Sequence, residues 1–186
     1  NAVIMLDGGE ITAVRLKHEL PNYGVFDEKR VFTPGPLPGP VSFRGVRLGV
    51  MVCEDMWFPE VSECLDESGA EIFVVLNGSP FESDKLDERL NFAVMRIKEA
   101  GLPLIYANLV GGQDELVFDG GSFVLGADCS LRAKAGSFIE EILWTDWHRI
   151  EGKWECNQGV LASENDLLGS IYSALMIGLR DYVKKN

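Results

Sequence analysis

The order of apolar and polar positions cuts the chain into short elements separated by turn residues. "NAVIML" and "EITAVRLK" each carry a strand pattern, and Asp7, Gly8 and Gly9 between them supply the positive φ of a hairpin. From His18 to Pro40 the pattern lapses, and "PGPLPGP" at 34–40, which cannot hold a ladder, predicts an extended surface loop. "VRLGVMVC" is apolar almost throughout, as a strand covered on both faces must be. Pro59 suits the first turn of a helix that runs through "EVSECLDES" to Gly69, and "EIFVVLN" is the next buried strand.

Residues 84–100 give the clearest helix, with Leu86, Leu90, Ala93, Val94 and Ile97 on one face and Gly101 and Pro103 ending it. "LPLIYANL" is another strand, "GGSFVLGADCSLRAKA" a hairpin turning at 126–130, and "FIEEILWTDW" one more strand. In the tail, Ser163, Asn165 or Asp166 can cap a long helix striped by Leu168, Ile171, Leu175, Leu179 and Tyr182. Arg180, Lys184 and Lys185 sit where its dipole favours cations. The order strand–helix–strand–helix–strand, followed by a hairpin, predicts an α/β fold of layered sheet and helices. The chain opens on Asn1 inside a strand pattern and ends just after a long helix starts, so it is expected to be a piece of something longer.

The composition, 46% hydrophobic and 25% charged over 186 residues, is that of a globular chain able to bury a core. A formal net charge of −12 with no Lys/Arg stripe argues against nucleic acid as a partner. No apolar run approaches the roughly 20 residues of a bilayer span, so no membrane role is expected. Cys53, Cys64, Cys129 and Cys156 form no CxxC pair, and His18 and His148 add little, so no zinc site is expected. Free thiols and no secretory leader pattern fit a reducing, cytoplasmic setting. Neither GxxxxGK nor GxGxxG occurs, so no phosphate cradle is expected within these residues.

Cys53 sits where an apolar strand meets two carboxylates, at the edge where α/β sheets build their sites. Taken alone, such a cysteine is more often a packed core thiol than a nucleophile. A thiol of ordinary pKa near 8.5 is only about a few per cent ionised at neutral pH and needs an activator. Neither histidine lies in a recognisable thiol-protease context, which leaves a carboxylate base, a lysine or both. Lys17 closes an otherwise apolar strand. "LPNYGVFDE" after it mixes loop-shaping Pro, Asn and Gly with the pocket-lining rings Tyr23 and Phe26. Alone, Lys17 would be a solvated strand end, and Asp27 with Glu28 a solvated acidic pair.

In order along the chain, "KHELPNYGVFDEKRVF", "GVMVCEDMWFPE", "NGSPFESDKLDER" and "GGQDELVFDGGS" resemble the nitrilase superfamily of carbon–nitrogen hydrolases. The branch they are most similar to is the glutaminase domain of the glutamine-dependent NAD(+) synthetases. The resemblance implies an α-β-β-α sandwich, here its later half, with residues 1–162 in that domain and 163–186 opening the synthetase domain. It implies a Glu–Lys–Cys triad in which Cys53 attacks the glutamine amide and Lys17, with the Glu54 backbone N–H, stabilises the oxyanion. Glu28 matches a second glutamate beside the triad, and Tyr23, Glu54, Ser79 and Arg89 match glutamine-binding positions.

Before Lys17 the acids are Asp7, in the hairpin turn, and Glu10, in the wrong motif. The triad glutamate is therefore expected upstream of Asn1, and the chain alone is expected to be a poor glutaminase or inactive. The resemblance places ATP and Mg in a synthetase domain outside this chain, with no cofactor inside it. Its partners would be glutamine, the rest of the polypeptide and further copies of itself in a homo-oligomer. The rival readings are a nitrilase-type amidase or carbamoylase with another substrate, and a non-catalytic assembly fragment.

Overall fold

The computed structural model describes residues 1–83 and 85–186. Asp84, the expected first residue of the longest internal helix, lies outside them. The chain opens with the expected hairpin: β1 (Ala2–Asp7) and β2 (Glu10–Leu16) pair antiparallel, Ile4 opposite Val14. The next segment is not wholly irregular, because α1 (Glu28–Val31) forms a single turn within it. Then come β3 (Val41–Phe43), β4 (Val46–Val52), α2 (Pro59–Glu67), β5 (Ile72–Asn77), α3 (Lys85–Ala100) and β6 (Leu104–Asn108).

Strands β4, β5 and β6 pair in parallel, each joined to the next by a helix long enough to cross over the sheet. A hairpin of β7 (Val110–Gln113) and β8 (Leu116–Asp119) follows, then β9 (Phe123–Leu125) and β10 (Leu131–Lys134). The main sheet runs β10-β9-β6-β5-β4-β3, with antiparallel strands at both margins of the parallel centre. On one face, Met51, Phe73, Val75, Leu104 and Tyr106 meet Val61 and Leu65 of α2 and Ala93 and Ile97 of α3. Each of the larger aliphatic and aromatic side chains among them contributes about 1.5–3 kcal/mol by leaving water. On the other face, Val124, Ala133 and Cys156 gather Ile105, Leu143 and Trp147.

One expectation is corrected. "FIEEILWTDW" is not a strand: the ladder begins only at β11 (Trp147–Ile150), which pairs with β12 (Lys153–Cys156). The reason is competition for an edge. The open side of β10 is taken by 159–162, whose Gly159, Val160 and Ala162 bond to the backbone of Arg132 and Lys134, leaving Ile142 and Trp144 exposed. Helix α3 packs the expected face, with Ala93 and Ile97 in the core, Leu90 and Val94 against it and Leu86 half-buried, and turns Arg89 and Arg96 inward as well. Both arginines are buried whole beside that face, which residue type alone did not suggest.

Helix α4 (Leu167–Lys185), capped by Asp166 accepting the Gly169 N–H at 2.7 Å, turns its striped face away from the fold. Leu168, Leu175, Leu179 and Tyr182 point to solvent, and the helix docks through Ala174, Ile177, Gly178 and Asp181 on the β7–β8 hairpin. A Cβ on Gly112 would stand 2.9 Å from the Gly178 Cα, so close approach of backbones demands glycine there.

Candidate active site

Strand β4 stops at Val52, and Cys53 opens a 3-10 turn (Cys53–Met56) with φ of +50°. A non-glycine residue holds that left-handed backbone only where its surroundings enforce it. The bend lifts the thiol out of the end of a parallel strand, at the carboxyl edge of the sheet. The Gly78 backbone, just past β5, lies near the Cys53 sulfur. Burial pushes the thiol up, Lys17 opposes that, Glu54 and Glu28 push it further up, and the Gly78 N–H lowers it; the net direction is upward.

Lys17 is 3% exposed, and its Nζ donates to both oxygens of Glu28 at 2.8 and 3.0 Å. The single turn of α1 exists to present Glu28 there, so neither Lys17 nor Glu28 is the solvated charge its surroundings in sequence would suggest. Tyr23 donates its hydroxyl to both oxygens of Glu54 at 3.0 and 2.8 Å. Burial raises both groups: the Glu54 carboxyl is up despite the Tyr23 bond, and Tyr23 is held strongly in its neutral form. Cys53, Lys17, Glu28, Tyr23 and Glu54 are thus brought together around one edge of the sheet.

Ser79 is buried beside them. Its N–H donates to Asn108 Oδ1 at 3.0 Å, and its Oγ accepts from Arg89 Nε at 3.1 Å. Arg89 lies behind Ser79. Its guanidinium is 1% exposed and donates to Asp119 at 2.9 Å and to the Ser79 and Pro80 carbonyls at 2.9 Å, as well as to Ser79 Oγ. Four of its five N–H groups are engaged inside the chain, and it holds the turn after β5 in place.

The sequence reading missed Trp57, Lys85, Asn108 and Asp119. Trp57 stacks on Phe92 with centroids 4.5 Å apart, and Lys85 lies 4.9 Å over the Trp57 ring, close enough to lower Glu54. Both fall inside the quoted "CEDMWFPE" and "NGSPFESDKLDER", so only their facing across α3 was hidden. Among the described residues, His18, Glu19 and Glu60 bring ligand atoms within 4.8 Å of one another, the one grouping with metal-like spacing. Glu60 is exposed, and exposed acidic groups commonly gather in this way without an ion, so the grouping carries no metal assignment.

Fold and site together define a class: an α/β protein that raises a thiol on a strained bend at the carboxyl edge of parallel strands, beside a buried lysine–glutamate pair. The carbon-nitrogen hydrolase pattern matches residues 1–149, and the chain belongs to that family. It is similar to the glutamine-dependent NAD(+) synthetase of Rhodobacter capsulatus, 41% identical over 186 residues, which are 100% of this chain and 34% of that protein. It is also similar to the structure of glutamine-dependent NAD+ synthetase from Acinetobacter baumannii in complex with ADP, at TM-score 0.90 and 35% identity. That match covers 99% of this chain and 35% of the other. An amidase from Nesterenkonia sp. AN1 matches 69% of this chain and 49% of its own, at TM-score 0.59 and 33% identity. The chain therefore spans about a third of the length of the curated relatives it matches. No helix in the described residues is long and apolar enough to cross a membrane.

Proposed function

We propose that this chain is the nucleophile-bearing part of a glutaminase, and that the whole protein is a glutamine-dependent NAD(+) synthetase. The observation that carries the reading is Cys53 on its strained bend, facing Lys17 and flanked by the Tyr23–Glu54 pair. The Cys53 thiolate attacks the side-chain amide carbon of glutamine. The oxyanion is met by the Lys17 ammonium and the Glu54 N–H; the general base returns the thiol proton to the nitrogen, ammonia leaves, and water then cleaves the glutamyl thioester to glutamate and the free thiol. Lys85 is the cation at the mouth suited to the substrate carboxylate, and Tyr23 and Glu54 to its ammonium. Ser79 lines the wall that Arg89 holds from behind.

Among the described carboxylates beside Cys53, Glu28 is engaged by Lys17, Glu54 by Tyr23, and Asp55 by three backbone N–H groups. The general base is accordingly assigned to a glutamate outside these residues, and its loss is worth about a hundred- to ten-thousandfold in rate. Residues 163–186 are read as the entry helix of a synthetase domain that holds ATP and Mg and consumes the ammonia to amidate deamido-NAD. That protein would be cytoplasmic and would assemble as a homo-oligomer. An electrophilic glutamine analogue applied to the full-length protein tests the reading. Covalent label on Cys53 and loss of glutamine-driven synthesis with ammonia-driven synthesis retained are expected. An unlabelled Cys53 in a protein that turns over other amides would favour the rival amidase.

A further inference from the structure

We propose that Asp55 is a positioning residue: one buried carboxylate that sets where Lys17 stands relative to Cys53. The assignment rests on the glutaminase reading of the same site.

Asp55 is 1% exposed and accepts three backbone N–H groups. Its Oδ1 takes those of His18 at 3.0 Å and Glu19 at 2.7 Å, and its Oδ2 takes that of Val52 at 2.9 Å. His18 and Glu19 immediately follow Lys17, and Val52 immediately precedes Cys53. The two ends of this carboxylate therefore grip the two halves of the lysine–cysteine pair, which lie on different elements. The Lys17 backbone bonds otherwise to Asn1 and Gly35, both in its own N-terminal segment. The other named tie from that segment to the bend is Tyr23 to Glu54, at a half-exposed mouth. Closing from residue 55 back onto residue 52, the same carboxylate also braces the turn that keeps Cys53 at positive φ.

Three donors demand an acceptor-only group with at least three lone pairs, which a carboxylate supplies and an amide does not. In Asp55→Asn the amide must turn an N–H₂ toward either Val52 or the His18–Glu19 pair, so one side of the grip lets go. Lys17, Glu54 and Glu28 are the charged groups that face Cys53, and Lys17 is the one that lowers its pKa. Releasing Lys17 must therefore raise the thiol.

The test is the pH profile of iodoacetamide alkylation at Cys53 in the full-length protein, read by peptide mass spectrometry. Cys64 and Cys129 on the same chain report general loosening. Lys17→Ala is expected to move the Cys53 profile up, and Asp55→Asn to move it the same way by about one pH unit, about tenfold slower near neutrality. Asp55→Asn on top of Lys17→Ala should add nothing, because the effect runs through the lysine. Should Asp55→Asn not fold, Asp55→Glu keeps the three acceptors one methylene too far out and is expected to shift Cys53 alone. A shifted Lys17→Ala profile with an unmoved Asp55→Asn profile, or full additivity of the two, overturns the role of Asp55. An unmoved Lys17→Ala profile overturns the glutaminase reading beneath it.

Discussion

The residues that matter most here are polar groups carried into dry surroundings, and each is held by partners distant in sequence. Arg89 reaches Asp119, Ser79 and Pro80 from the inner face of α3. Removing one member of a buried ion pair strands the other, so Arg89→Ala should lower stability by about 3–5 kcal/mol, and urea unfolding measures it. Arg89→Lys recovers little, because one ammonium cannot reproduce the fork. A loss under about 1 kcal/mol would show that Asp119 finds water instead. Lys85 differs, since it sits at the mouth over Trp57. Lys85→Ala in the full-length protein should raise KM for glutamine well before it lowers kcat, which steady-state kinetics with glutamine against ammonia resolves.

Among the elements, α4 shows how a helix is seated by its small residues. Its backbone meets β7 at Gly112 and Gly178, Asp181 accepts the Gly112 N–H at 2.8 Å, and Lys185 donates to the Gly112 carbonyl at 2.7 Å. Gly112→Ala should therefore undock α4. Gly178→Ala should be tolerated, since its Cβ meets only a side-chain methyl of Val117 at 3.1 Å. Amide exchange along α4 distinguishes them, and equal protection in both variants would contradict the backbone contact. Asp181 adds a pH dependence: the Arg180 bond, then the Gly112 N–H, pull its carboxyl from 3.8 down to about 2. Arg180 belongs to α4 and lowers Asp181 in either form, so only the Gly112 N–H part stabilises docking; that part is present above the ordinary pKa and lost as pH falls through about 2. Protection of the Gly112 amide should decline between about pH 4 and pH 2. Protection that stays level across that interval would remove Asp181 from the docking.

For the whole molecule, the distribution of apolar surface is the informative quantity. One face of the β1–β2 hairpin exposes Ile4, Leu6, Ile11, Val14 and Leu16, and α4 exposes Leu168, Leu175 and Leu179. Patches of this kind are rare on chains that work alone. The isolated 186-residue chain should self-associate with rising concentration, and Ile4→Lys with Val14→Glu, an opposite-charge pair directly across the hairpin, should shift it toward monomer without lowering its melting temperature. Light scattering and calorimetry together read this. A monodisperse wild-type monomer would mean these faces are tolerated in water.

Much of this architecture was legible in one dimension, because burial on both faces forces continuous apolar runs and a half-buried helix forces a 3.6-residue period. Strands β4, β5 and β6, helices α2 and α3, the two hairpins beginning at β1 and β9, and the Asp166-capped tail all follow from that. "FIEEILWTDW" failed because alternation supplies a strand's face but not its neighbour, and 159–162 had taken the edge of β10. The site divides in the same way. Residue types and motif order along the chain singled out Cys53, Lys17, Glu28, Tyr23 and Glu54 as candidates. Tertiary structure decided that Arg89 faces inward, that Lys85 lies over Trp57, and that Asp55 spans from β4 to the segment after Lys17. Sequence pattern determines which side chains leave water; which buried polar atoms then meet depends on contacts between elements far apart along the chain.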